Sequence, residues 1–344
     1  MRYGWGKVEN RVFYCGCRVR ARRYIAAGKP FLPPRSGRTP SDNFTMDNMS
    51  QSSPPTVATR QSDLGGWLEF YRQADLPVLR HTSLEIERLR ENAENVNGRA
   101  LSAVILRDPL MTLRVLAFIE KNRGKRQETD ITTIERALMM IGIGPFFTAF
   151  HDLPLVEERL KGHPKALLGL LKVIARARKA AFWARDWAAL RHDMNTDEVV
   201  VATLLHDYAE ILMWCFAPAL ATQVKERQTR DRALRSVAIQ AEVYGIPLYQ
   251  LKLALAEEWH LPELLTSLMN ADNAEQPRVR NVKLAVDLAR HSANGWDDAA
   301  LPDDYQAVGE LLRLNEPTVK KRIGVPEAET EIVATADASR SSAD

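Results

Sequence analysis

The sequence predicts an all-α protein, a multi-helix bundle with disordered N- and C-terminal tails. Three observations lead there. From about residue 63 onward, apolar residues recur at the spacing of a helix face. Gly, Pro, Asn and Asp, which start and stop helices, punctuate these stretches. No alternating apolar-polar run long enough for a strand occurs, and no internal repeat recurs at a fixed period. With 344 residues, 45% of them hydrophobic and 26% charged, the chain has ample material for a core.

Residues 1–62 are expected to form a disordered, basic, Pro- and Ser-rich segment. Residues 1–45 hold ten Lys or Arg against Glu9 and Asp42, so the +3 of the whole chain hides a remainder near −5, mildly acidic. Such an arm can meet the phosphates of nucleic acid or of anionic lipid. It has no amphipathic period, however, and runs into "GKPFLPPRSGRTPSDNF", so an unstructured tail is the expectation, with Met46 or Met49 as an alternative start. Three cysteines, Cys15, Cys17 and Cys215, do not build a disulfide framework, which fits a reducing, cytoplasmic compartment. Cys15 and Cys17 lack a second ligand pair at metal spacing. No uninterrupted apolar run reaches the roughly 18 residues that span a bilayer, and the N-terminus has no apolar leader, so neither a membrane span nor export is expected.

The elements follow in order. "HTSLEIERLRENAE" predicts a helix over about 83–95, with Thr82 or Ser83 as N-cap and Glu85 and Glu87 in the first turn, where the dipole favours acids. "GRALSAVILRDPLMTLRVLAFIEKN" reads as two helices parted at Asp108-Pro109, since proline disfavours helix at the residue before it and suits the first turn of the next. "TDITTIERALMMIG" places Ile131, Ile134, Leu138 and Ile141 on one face and stops at Gly142. Further helices are expected at about 164–190, 197–215, 229–244, 247–259, 262–270 and 277–293. "YQAVGELLRLNEPTVKKRIG" adds a helical pair, making residues 294–324 an extension of a 63–293 domain. Residues 325–344 are acidic and rich in small residues, hence a second disordered tail.

One dipeptide stands out chemically. His-Asp occurs at His151-Asp152, His192-Asp193 and His206-Asp207. The first is followed by a proline that ends a helix and the second lies in the polar stretch "RHDMNTDE", so both read as solvated loop residues. His206-Asp207 sits in "VVVATLLHDYAEILMW", a helix apolar over most of its circumference, where unpartnered polar groups are costly. That pair must be hydrogen-bonded, hold a metal, or line a pocket.

A His-Asp pair within "LLHD" in a helical bundle resembles the HD superfamily of metal-dependent phosphohydrolases, and the surroundings resemble its HD-related output domain, the HDOD family. "LPVL" at Leu76, Pro77, Val78 and Leu79 is similar to that family's opening motif. Asp108-Pro109, and the isoleucine-rich helix ending at Gly142, are similar to its N-terminal half. "AEVYGIPLYQLKLALAEEWHLPELL" keeps the family spacing from Gly245 to Trp259 and Pro262. The resemblance spans about 67–292 and implies an HDOD/HD-type bundle.

What the resemblance implies about chemistry is incomplete here. In active relatives a further His precedes the His-Asp helix; Arg176 stands at that place. The downstream His falls on Leu248, a later His pair on Asp272 and Asn273, and the Lys that often follows His-Asp is Glu210. An arginine repels a cation and a leucine offers no lone pair. His206 and Asp207 therefore read as a structural remnant, with a weak mononuclear site on His206, Asp207 and Asp272 as the alternative. His260 lies in the turn "WHLP", and His291 ends a helix, where a cation is favourable.

The functional expectation is a non-catalytic, bacterial-type signalling or regulatory module that binds a partner protein or small ligand, with no cofactor and a possible homo-oligomer. A metal-dependent phosphohydrolase or phosphodiesterase, with a divalent ion, is the first alternative. The second is a nucleic-acid-binding regulator, for which the Arg and Lys of "RARKAAFWARDWAALRHD" interleaved with Trp183 and Trp187 are the only further signal. No phosphate loop or nucleophile elbow competes, and Cys215 reads as a core residue.

Overall fold

The computed structural model describes residue 57 and residues 60–122, 130–231 and 235–326. The tail predictions for residues 1–56 and 327–344 fall outside these residues. So do Cys15 and Cys17. Among the described residues the chain is helical throughout, with one isolated parallel bridge between Val78 and Leu155.

The first part of the chain comprises α1 (Leu64–Arg72), α2 (Arg80–Glu91), α3 (Gly98–Ile105), α4 (Pro109–Lys121), α5 (Ile134–Ile141), α6 (Ile143–Ala149) and α7 (Val156–Arg159). As predicted, α3 and α4 part at Asp108-Pro109: the Asp108 carboxylate accepts from the Leu110 and Met111 amides and proline occupies the first turn. Gly142 stops α5 with φ +82°, open to glycine at little strain. Ile134 and Leu138 are buried, whereas Ile131 lies ahead of the helix, whose N-cap is Thr133.

The predicted cap of α2 is corrected. The helix begins at Arg80 rather than near 83, and Thr82 is buried inside it. Its leading amides are met from a distance: Leu79 N–H donates to Asp108 Oδ2 (2.8 Å) and Arg80 N–H to Glu157 Oε2 (2.9 Å). Long-range carboxylates have replaced the local cap that the Thr-Ser sequence offered.

The second part comprises α8 (Pro164–Leu190), α9 (Thr196–Leu205), α10 (Tyr208–Phe216), α11 (Pro218–Arg230), α12 (Ser236–Tyr244), α13 (Leu248–Glu258), α14 (Glu263–Leu268) and α15 (Pro277–His291). The 27-residue α8 packs on α9, α10 and α15. Two predictions change here. The helix expected over 229–244 is α12, which starts only at Ser236, and α11 over Pro218–Arg230 is a helix that was not expected. The helix expected over 197–215 is broken at His206-Asp207. Taken together, Thr196–Phe216 is long and apolar enough to cross a membrane, but 83% of its most apolar 18-residue window is buried within the bundle, where it forms part of the core.

α16 (Leu301–Leu312) and α17 (Glu316–Ile323) close the described chain. Their Leu301, Val308, Val319 and Ile323 belong to the same apolar cluster as Trp67 and Phe216, so the predicted extension shares the core of the main bundle. At the other end, Val57 N–H donates to Phe216 O and Arg60 Nη1 to Glu242 O, which brings the last part of the predicted 1–62 tail onto the bundle.

Candidate functional site

The helix break decides what His206 and Asp207 can do. Asp207 has φ −101° and ψ 23°, and the His206 amide bonds back to Thr203 O, a tightened last turn of α9. Ile211 N–H then donates to Asp207 O and α10 begins. Both side chains are brought to one place: His206 Nδ1–H donates to Asp207 Oδ1 at 2.8 Å.

Arg176, one helix away on α8, completes the arrangement. Its Nη2 donates to Asp207 Oδ2 (2.8 Å) and to Glu210 Oε2 (2.7 Å). Arg290, near the end of α15, approaches Asp207 Oδ1 at 3.6 Å. The side chains of Arg176 and Asp207 are 16% and 12% exposed, so the pair is held largely out of water. Burial by itself would push the Asp207 carboxyl up, but the His206 hydrogen bond and the two guanidinium groups hold it well below the usual carboxylate range. For Arg176 burial is likewise opposed and outweighed, by Glu210 and Asp207, which raise its pKa. Burial prevails for His206, whose pKa is lowered despite Asp207, so the imidazole is neutral at pH 7. Lys252 on α13 donates to Met269 O, and its burial lowers its pKa against the pull of Asp207.

These residues do not fit a divalent ion. A catalytic metal needs about three protein ligands and an open position for water. Here a guanidinium already sits between the two carboxylates, and a second stands 3.6 Å away. Among the described residues no three His, Cys, Asp or Glu side chains gather as a ligand set. Asp272, the weak candidate, is exposed on the short turn Ala271–Asn273, its amide bonded to Asn270 Oδ1. Leu248 is buried at the start of α13.

The motif residues that carried the resemblance hold the frame. The Leu76–Leu79 stretch and Asp108-Pro109 are joined through Leu79 N–H and the fully buried Asp108 carboxylate, whose pKa burial raises. Val78 pairs with the Pro154–Val156 stretch by two backbone hydrogen bonds. Gly245 ends α12 in the left-handed region, next to Tyr244, whose carbonyl accepts from Trp67 Nε1. Trp259 ends α13 with its ring 6.3 Å from that of Tyr208, beside the His-Asp break, and Pro262 leads into α14.

The other histidines partly depart from expectation. His151 and Asp152 are exposed, as predicted. Asp193 is not a solvated loop residue, since Arg278 of α15 donates to it at 2.9 Å. His291 does more than end a helix: its Nδ1 lies 2.6 Å from the Asp304 carboxylate of α16. Sequence reasoning missed Arg290, Lys252 and the pairing of Arg176 with Glu210. A signal for that pairing existed, because Arg176 and Glu210 stand at the places where the resemblance put a His and a Lys, which sets a cation and an anion at two positions the family motif brings together.

The HDOD domain model matches residues 76–275. The chain belongs to the HDOD domain family. A search among curated proteins gave no match. Among solved structures, the MmoQ response regulator from Methylococcus capsulatus str. Bath is similar at TM-score 0.56 and 19% identity, over 72% of this chain and 97% of that one. A virulence factor from Campylobacter jejuni subsp. jejuni is similar at TM-score 0.53 and 18% identity, over 76% and 92%. At such identities the likeness is one of fold.

Proposed function

We propose that this chain is a non-catalytic signal-transduction module, an HDOD bundle that acts by binding a partner protein or a small ligand. The observation that carries the reading is Arg176, donating to both Asp207 and Glu210 where relatives with activity would place a metal ligand. An internal cation between the carboxylates supplies the charge a metal would have supplied, without an exchangeable position for water. The family, and the response-regulator description of the MmoQ neighbour, support signalling as the setting. A nucleic-acid face on α8 is disfavoured, because Trp183 and Trp187 are buried and cannot stack on bases. Cys215, a free buried thiol, fits a reducing cytoplasm.

Metal analysis of the purified protein, together with hydrolysis assays on phosphomonoesters and cyclic dinucleotides, tests the reading. Sub-stoichiometric metal and turnover no higher than in His206→Ala are expected. Near-stoichiometric transition metal with His206-dependent turnover overturns it.

A further inference from the structure

The outward face of α8 is unusual for a helix so deeply engaged on its other sides. Leu168, Leu171 and Phe182 are 56%, 40% and 68% exposed. At 100° per residue they fall within one stripe, together with Arg178 and Arg185, and Lys172 borders it. Lys172 and Arg178 are exposed and have no carboxylate partner among the described residues, while Arg185 reaches only to 3.9 Å from Asp197. The face is thus apolar along its middle and basic at its edges.

The described chain ends close by. Arg322 of α17 is held in a two-pronged pair by Asp186 of α8 at 2.6 and 2.7 Å, and Asp186 flanks the stripe one turn beyond Phe182. Four residues after Arg322 the description stops, leaving residues 327–344. Those residues carry Glu327, Glu329, Glu331, Asp337 and Asp344 against Arg340 alone, with Ile332 and Val333 as branched apolar side chains. An extended chain of that length spans about 60 Å, ample for a helix of about 40 Å.

We infer that the acidic segment 327–344 docks along this face of α8, its glutamates meeting Lys172, Arg178 and Arg185 and its apolar residues covering Phe182. The charge match favours this occupant over a second copy of the chain, since two copies of the face would oppose cation to cation. Tethering beside Asp186 raises the local concentration of the segment without any need for high intrinsic affinity. A partner with an acidic, apolar segment would have to displace the tail, which makes the segment a built-in competitor for the face.

Carbodiimide cross-linking of the full-length protein tests this, read by peptide mass spectrometry on a mixture of ¹⁴N- and ¹⁵N-labelled chains. The exposed Lys225 of α11 serves as reference for random encounters. Lys172 should link to carboxylates of 327–337 within one chain at least about fivefold more than Lys225 does, as tethering predicts. The excess should vanish in Arg178→Glu/Arg185→Glu, both exposed positions, with unchanged circular dichroism. Changing Glu327, Glu329 and Glu331 to Lys as well exchanges amine and carboxylate across the contact, so links within one chain should then join positions 327, 329 and 331 to positions 178 and 185. Parity of Lys172 and Lys225 in the wild type, or links found only between differently labelled chains, overturns the inference.

Discussion

Replacing Arg176 by alanine isolates the ion-pair arrangement. The substitution removes a guanidinium that donates at 2.8 Å to Asp207 and 2.7 Å to Glu210 and leaves both carboxylates at a largely buried helix break. Removing one partner of a buried pair typically costs about 3–5 kcal/mol, because the other charge is left without compensation. Two features favour the lower end: Asp207 keeps His206 and the more distant Arg290, and Glu210 is 29% exposed, so water reaches it. A loss of about 3 kcal/mol at pH 7 follows, or roughly 6–12 °C in melting temperature for a chain of this size. The pH dependence is diagnostic. In the wild type the folded pKa of Asp207 is depressed, so its stabilisation is present above the unfolded value near 4 and is lost as pH falls through the folded value. Without Arg176 that depression is smaller, and the gap between variant and wild type should narrow below about pH 4. Urea unfolding of both proteins from pH 7 to pH 3.5 measures it. A loss under about 1 kcal/mol at pH 7, within reach of an ordinary surface pair, would refute the view that Arg176 neutralises this site.

Other expectations follow from the same packing. Asp108→Ala removes a helix cap and also the acceptor for Leu79 N–H, so about 2–4 kcal/mol should be lost in denaturant unfolding; a loss below about 1 kcal/mol would mean that the buried amides find water. In Gly169→Ala the new methyl would lie 2.5 Å from the Trp214 ring, and a destabilisation of about 1–3 kcal/mol with altered tryptophan fluorescence is expected. His206 has a lowered folded pKa, so its contribution is present above the unfolded value of about 6.5 and is lost as pH falls through the folded one; His206→Gln should flatten the stability profile below about pH 6.5. The wild-type melting temperature should be the same in EDTA and in excess Mn²⁺, and a rise that requires Asp207 would show a metal site.

What could be read in advance divides along a physical line. Interactions within a few residues were legible: the Asp108-Pro109 start of α4, the Gly142 stop of α5, and the helical texture as a whole. The break at His206-Asp207 was hidden because the apolar run continues unchanged across it, and hydrophobic pattern reports burial rather than backbone continuity. Thr82 and Ser83 misled for the opposite reason, since good local caps were present and carboxylates from α4 and α7 did the work instead. The site residues Asp207 and His206 were visible as types in an improbable place. Their partners Arg176 and Arg290 lie 31 and 83 positions away, and only the packing of α8 and α15 on the break brings them in.

The central position of α9 and α10 has a consequence for how the chain is made. This stretch is buried against α4 and α8 and also against α11, α13, α14 and α15. Only α4 and α8 among these precede it in sequence; the other four follow it, with α15 ending at His291. At about 5–20 residues per second, a ribosome needs roughly 4–15 s after Phe216 to supply the last of these surfaces. During that interval a segment whose most apolar 18 residues have a mean hydropathy of 1.5 has only part of its cover. The bundle therefore cannot mature from its N-terminus alone, and fragments ending between α10 and α15 should be held by chaperones or aggregate rather than fold.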